Sequence, residues 1–186
     1  MDEEYRLIKL ILIGDTKTGK TKFNQYLVNG YESINFDSYK ATIGGALSSK
    51  QIIYKNNKFK FEIWDTTGQE RYTPLIRVFI KKADMVFIFY DSSEKKTFER
   101  AKYLFDLAKD SNSNINCIYI LIGNKYEISL DSKIKDNYIP EEEVFKFISE
   151  NNMSLVHISI AEKYSNGINE LLKKALDKYI QLKNIE

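Results

Sequence analysis

Four short apolar runs, residues 7–13, 85–90, 117–122 and 155–160, recur along the chain with few polar interruptions. Runs this continuous predict strands buried on both faces rather than strands with one wet side. Between them lie helical patterns at residues 20–29, 97–109, 141–151 and 168–182, the third preceded by Pro140, which suits a helix start. Alternation of buried strands with helices predicts a parallel sheet covered on both faces. One segment breaks the rhythm. From residue 51 to 64 the chain reads as two strands around Lys55-Asn56-Asn57-Lys58, with Phe59, Phe61 and Ile63 alternating against Lys58, Lys60 and Glu62. That pattern is a hairpin, and it gives the sheet one antiparallel edge strand.

The first strand leads into Gly14-Asp15-Thr16-Lys17-Thr18-Gly19-Lys20-Thr21, which fits G-x-x-x-x-G-K-[ST]. A turn of small residues between a strand and a helix points successive backbone N–H groups into a concavity that binds polyphosphate oxygens. Lys20 adds charge, Thr21 offers a metal ligand, and the helix beginning near Lys20 aims its positive dipole end at the same anion. At the end of the second hairpin strand comes Trp64-Asp65-Thr66-Thr67-Gly68-Gln69-Glu70-Arg71-Tyr72. Asp65 is placed to hold Mg2+, usually through water, Gly68 allows close backbone approach to a terminal phosphate, and the amide of Gln69 can orient an attacking water.

Composition narrows the setting. The 186 residues suit one domain spanning the whole chain, 1–186, and the net charge of +2, from 28 basic and 26 acidic residues, creates no field inviting nucleic acid. Scattered lysine pairs such as Lys81-Lys82 and Lys173-Lys174 read as solvated helix faces. A lone Cys117 excludes an internal disulfide and reads as a small buried hydrophobe; His157, the single histidine, reads as structural. No stretch approaches the ~18 apolar residues of a membrane span, and the acidic start Met1-Asp2-Glu3-Glu4 is no signal peptide.

On these motifs the chain resembles the Ras-like small GTPases, most closely the Rab branch, from about residue 7 to 182. The resemblance implies a three-layer α/β P-loop NTPase fold, with a mostly parallel six-stranded sheet, one antiparallel edge strand and helices on both faces. It further implies a monomeric, Mg2+-dependent switch that binds and slowly hydrolyses GTP to GDP in Rab-like regulation of vesicle traffic. The family's phosphate loop corresponds to Gly14, Asp15, Thr16, Lys17, Thr18, Gly19, Lys20 and Thr21, continued by Lys22. The Rab branch usually has Gly where this chain has Lys17, so the resemblance implies a left-handed backbone residue there, at a cost of about 1 to 2 kcal/mol. The first switch corresponds to Tyr39-Lys40-Ala41-Thr42-Ile43-Gly44, and the second to Trp64 through Tyr72. Thr21, Thr42 and Asp65 would then serve Mg2+, with Gln69, Lys20, Thr42 and Gly68 as the hydrolytic set. Phe36 matches in type the aromatic flanking the base, one residue off the usual spacing, and Tyr39 joins the nucleotide contacts.

The base-reading motif Asn-Lys-x-Asp appears as Asn124-Lys125-Tyr126-Glu127, so a Glu with one extra methylene replaces the Asp that pairs with guanine. Ala161, Glu162 and Lys163 align with the family's Ser-Ala-Lys loop, without the first hydroxyl. Trp64 and Phe79 match two positions of the aromatic cluster that Rab effectors read, and Leu47 replaces the third. Implied partners are effectors, exchange factors and a GTPase-activating protein, because no arginine is placed by these motifs to act in cis. The expected location is cytoplasmic and peripheral on endomembranes, although the sequence as given ends in Gln181-Leu182-Lys183-Asn184-Ile185-Glu186 with no cysteine for prenylation. A pseudo-GTPase interaction module is the alternative, favoured by Lys17, Glu127 and the altered Ala161-Glu162-Lys163. A nucleotide kinase would need an arginine-rich lid, and the four arginines are Arg6, Arg71, Arg77 and Arg100.

Overall fold

The computed structural model describes residues 4–30, 42–129, 139–160 and 166–185. Six strands form one sheet in the order β2-β3-β1-β4-β5-β6. They are β1 (Arg6–Gly14), β2 (Gly45–Tyr54), β3 (Asn57–Thr66), β4 (Met85–Asp91), β5 (Ile118–Asn124) and β6 (Ser154–His157). Only β2 with β3 is antiparallel; β1 pairs in parallel with both β3 and β4, and β4–β5 and β5–β6 are parallel too. The helices are α1 (Lys20–Asn29), α2 (Thr73–Ile80), α3 (Lys95–Ser111), α4 (Tyr126–Ser129), α5 (Glu141–Glu150) and α6 (Asn166–Lys183).

The two-sided burial expected of the continuous apolar runs is present. Ile8, Leu10 and Leu12 of β1 point into a core closed by Phe23 and Leu27 of α1 and by Ile168 and Leu171 of α6. Ile11 and Ile13 point the other way, into a core closed by Ile76 of α2, Phe98 of α3 and Val144 of α5. Strict alternation of side chains along a strand makes one segment serve both layers. All seven residues of β4 are buried, as its central place in the sheet demands.

The hairpin turns on Lys55 and Asn56, whose φ values of 47° and 61° suit the tight two-residue turn that matches strand twist. Its first strand begins at Gly45, six residues before the expected start at Gln51, because Gly45 through Lys50 pair with Phe61 through Thr66 despite a polar sequence. As the sheet's outer strand β2 is partly exposed, so Ser48 and Ser49 are tolerated there. One further expectation is corrected, and two helices were not anticipated. Residues 158–160 are not strand: the Ile158 N–H donates to the Gly123 carbonyl at 2.8 Å, but the Ile160 N–H turns to the Asn124 side chain at 3.3 Å. Helices α2 and α4 were not evident in the pattern; α2 has Pro74 in its first turn and buries Ile76 and Ile80, one face of a single pair of turns.

Parallel register levels the functional ends. Leu12 pairs with Asp65, Gly14 with Phe89, and Asp91 with Asn124, so the loops after β1, β3, β4 and β5 open at the same carboxyl edge.

Candidate nucleotide-binding site

The loop from Gly14 to Gly19 closes around its own backbone. Lys17 has φ 62°, the left-handed conformation expected for it, and Gly19 has φ 102° at the entry to α1. A Cβ on Gly19 would lie 2.2 Å from Asn124 Nδ2, so only glycine lets the base loop approach this closely. Helix α1 starts without a side-chain cap or an acidic residue in its first turn, so no residue of that turn compensates its N-terminal dipole. Thr18, fully buried, donates its hydroxyl to the Asp15 carbonyl at 2.9 Å, and the Asp15 carboxylate accepts the Thr16 N–H at 2.6 Å.

Lys20 is 5% exposed, and its ammonium donates to the carbonyls of Gly14 at 2.9 Å and Asp15 at 2.7 Å. Burial pulls its pKa down from 10.5 to about 8, opposed by the negative charges of Asp65 and Asp15. The side chain is therefore folded back over the loop, among carbonyls that a polyphosphate oxygen would outcompete as partners for a cation.

Thr21, Thr42 and Asp65, which come from three separate segments, meet at the loop's mouth. The hydroxyls of Thr21 and Thr42 lie 3.0 Å apart. Asp65 is 1% exposed, and its Oδ1 is buried without a hydrogen-bond partner among the described residues. Desolvation pushes its carboxyl above the usual carboxylate range, against the Thr21 hydrogen bond and the Lys20 charge. One orphaned carboxylate oxygen beside two hydroxyls fits Mg2+, which takes one or two protein oxygens and fills its shell with water and phosphate.

Gly68 lies on the phosphate loop. A Cβ there would sit 2.3 Å from the Thr16 nitrogen and 2.4 Å from the Asp15 carbonyl carbon. Gln69 follows, its N–H donating to the Thr67 hydroxyl at 3.3 Å, at the start of a 3-10 turn over Glu70–Tyr72. Arg71 is exposed, with its guanidinium over the Tyr72 ring. Trp64 and Phe79 stack with centroids 4.9 Å apart, and Leu47, 58% exposed, pairs across the hairpin from Trp64.

At the far end of the site, Asn124 ties three segments together. Its Nδ2 donates to the Thr18 carbonyl at 2.9 Å, and its Oδ1 accepts the Ile160 N–H at 3.3 Å. Lys125, at φ 58°, makes an ion pair with Asp91 at the end of β4. Asp91 also accepts from the Ser93 N–H and hydroxyl. Asp91 belongs to none of the sequence motifs, and its signal is an acidic residue closing a buried strand level with Asn124. The Glu127 Oε2 is buried and unpartnered among the described residues, so the longer side chain keeps one oxygen free for a donor. Burial holds the His157 pKa below 6.5, and its ring stacks on Tyr126 at 4.3 Å within the base-loop wall. Lys22 sits in the first turn of α1. Phe36, Tyr39, Lys40, Ala41, Ala161, Glu162 and Lys163 lie outside the described residues.

A phosphate cradle at the topological edge of a mostly parallel sheet, faced by a buried Asp and by an Asn-Lys base loop, defines a P-loop nucleotide-binding fold of the small-GTPase class. The Ras family model matches residues 9–181, and the chain belongs to that family. Relatives include the GTP-binding protein ypt3 of Schizosaccharomyces pombe, 29% identical over 97% of this chain and 79% of the relative. The Ras-related protein Rab-5A of Dictyostelium discoideum is 31% identical over 88% of this chain and 76% of its own length. The Ras-related protein Rab5A of Oryza sativa is 30% identical over 95% of this chain and 81% of its own length. These names agree with the Rab-like character of the second switch. No helix among the described residues is long and apolar enough to cross a membrane.

Proposed function

We propose that this chain is a guanine-nucleotide-dependent switch that binds GTP with Mg2+, hydrolyses it slowly, and acts in Rab-like control of membrane traffic through effectors that read its switch conformation. The observation that carries the reading is the meeting of Thr21, Thr42 and Asp65, with a buried carboxylate oxygen left unpaired. Those three residues would hold Mg2+, directly or through water, and the ion would neutralise charge on the phosphates.

The remaining steps belong to the chain's own groups. Lys20 leaves the carbonyls of Gly14 and Asp15 for the phosphate oxygens, drawn by an anion stronger than either carbonyl. Gly68, already against Asp15 and Thr16, offers its N–H to the terminal phosphate. Gln69 orients water for in-line attack and, lacking an arginine in cis, works slowly until a partner supplies one, at a gain of ~10³ to 10⁵ in rate. Loss of the terminal phosphate releases Thr42 and Gly68 together, and that release is the signal partners read.

Glu127 supplies its free Oε2 to the base, so guanine is preferred over adenine. Phosphate release under single-turnover conditions, with wild type against Gln69→Leu, tests the hydrolytic reading: a slow wild-type rate that falls in the variant supports it. Tight guanine nucleotide without any hydrolysis in either protein would instead support the static binding module, for which the strained Lys17 and the substituted Glu127 speak. Competition of GTP against ATP and xanthosine triphosphate tests the base, and equal affinity for all three would remove the role given to Glu127.

A further inference from the structure

Arg100 lies on α3, outside every motif discussed so far, yet it reaches the second switch. Its side chain is 15% exposed, and Nη2 donates to the Thr73 hydroxyl at 3.0 Å. That hydroxyl donates in turn to the Glu70 carbonyl at 2.7 Å, across the 3-10 turn Glu70–Tyr72. Within the same turn the Tyr72 N–H donates to the Gln69 carbonyl at 3.0 Å. Hydrogen bonds therefore run from the rigid α3 through Thr73 to the carbonyl of Glu70, the residue after Gln69, and the separate Tyr72–Gln69 bond closes the same turn. Three more features describe the arginine itself, the first two of which hold it. Its guanidinium stacks over Tyr103 of the same helix at 4.7 Å, its Nη1 stands 4.0 Å from the Glu70 carboxylate, and its Nε is buried without a hydrogen-bond partner among the described residues.

We propose that Arg100 is a positioning residue for the switch reaction: through Thr73 it holds the turn that presents Gln69 to the phosphate loop. The inference rests on the hydrolytic reading above for its catalytic consequence, but its mechanical content is independent of it. Between Gln69 and α2, which begins at Thr73, lies a single turn of 3-10 helix, an element with weak hydrogen bonds and little packing of its own, and the first buried residue after Gln69 is Ile76. The turn therefore needs an outside anchor. Helix α3 is suited to provide one because Phe98, Ala101, Leu104 and Phe105 bury it in the core. A guanidinium that is mostly covered, with its buried Nε still unpaired, is costly to leave in place for packing alone, so its hydrogen bond to Thr73 helps decide where the side chain lies.

The test uses the full chain with Arg100→Gln, Thr73→Val and Thr73→Ser, and two readouts. Amide hydrogen exchange across residues 69–73 should quicken at least roughly tenfold in Thr73→Val and in Arg100→Gln, because each cuts the same chain of bonds, and should return to the wild-type rate in Thr73→Ser, which keeps the hydroxyl. In protein loaded with GTP, the single-turnover rate constant should fall about threefold to tenfold in the first two variants, with GDP affinity within roughly twofold of wild type. The double variant should be no slower than the worse single one, since both break one linkage. Unchanged exchange in both Thr73→Val and Arg100→Gln would overturn the proposal whatever the nucleotide chemistry. Equal loss in Thr73→Ser and Thr73→Val would also overturn it. If neither wild type nor Gln69→Leu hydrolyses GTP, the hydrolytic reading fails, and the exchange measurement still decides whether Arg100 holds the turn.

Discussion

Replacing Asn124 by alanine should destabilise the protein even when no nucleotide is bound. Asn124 is 3% exposed, and its amide satisfies two main-chain groups from distant segments, the Thr18 carbonyl at 2.9 Å and the Ile160 N–H at 3.3 Å. Thr18 is fully buried and Ile160 is 3% exposed, so water does not readily replace the lost amide at either group. An unsatisfied buried polar group costs about 1 to 3 kcal/mol, and two of them give roughly 2 to 6 kcal/mol. Against a total stability of about 5 to 15 kcal/mol this is a large fraction. The assay is urea unfolding followed by circular dichroism, with nucleotide and Mg2+ removed by chelation, because any ligand bound to the native state adds its own stabilisation. With a slope of about 2 kcal/mol/M, the midpoint should fall by about 1 to 3 M. Asn124→Asp should also lose stability, since it keeps an acceptor for Ile160 but sets a second oxygen against the Thr18 carbonyl. A midpoint unchanged to within about 0.25 M, or about 0.5 kcal/mol, would refute the idea that the base loop is stitched to the phosphate loop through this side chain.

Three further outcomes follow from the same geometry. Gly68→Ala places a methyl group 2.3 to 2.6 Å from backbone atoms of Asp15 and Thr16, so the segment must retreat at about 1 to 3 kcal/mol; single-turnover hydrolysis should drop more than about tenfold while GDP affinity changes little. Asp65→Asn removes a carboxylate whose ionisation burial opposes, and whose raised folded pKa makes it less favourable to the fold as pH rises above the unfolded value of 3.8. Without Mg2+ at pH 7 that variant should be at least as stable as wild type in thermal melts, yet lose the Mg2+-dependent rise in melting temperature. His157 has its folded pKa held below 6.5 by burial, with Glu141 opposing, so the unfolded chain binds the extra proton first as pH falls. Stability should decline from about pH 6.5 down to the folded pKa and level off below it, and His157→Gln should flatten that decline in urea midpoints measured from pH 7.5 to 5.

Much of this architecture was legible in the residues because local and tertiary demands agree there. Apolar runs at residues 7–13 and 85–90 are strands for the same reason that they are buried, and the turn at Lys55-Asn56 fits the hairpin twist through its own backbone preferences. The phosphate loop announces itself because a concave anion site has few solutions in backbone conformation, and Lys17 takes the left-handed one it was expected to take. Helix α2 was not legible, since eight residues with a single buried pair, Ile76 and Ile80, carry almost no period. Gly45 through Lys50 read as loop because an outer strand gains its hydrogen bonds from β3 without needing an apolar face. Asp91 and Arg100 escaped notice for a different reason: their partners, Lys125 and Thr73, are 34 and 27 residues away in sequence, and only the folded sheet brings them together.

The central claim is that a guanine nucleotide is held by the phosphate loop with the help of Thr21, Thr42 and Asp65. Titration of the purified, nucleotide-free chain with a fluorescent guanine diphosphate, with Mg2+ and then with excess chelator, tests it most directly. Saturable binding at micromolar concentration or below, weakened by the chelator and displaced by GTP but not by ATP, is the predicted result. No uptake of guanine nucleotide at micromolar concentrations in the presence of Mg2+ would contradict the account.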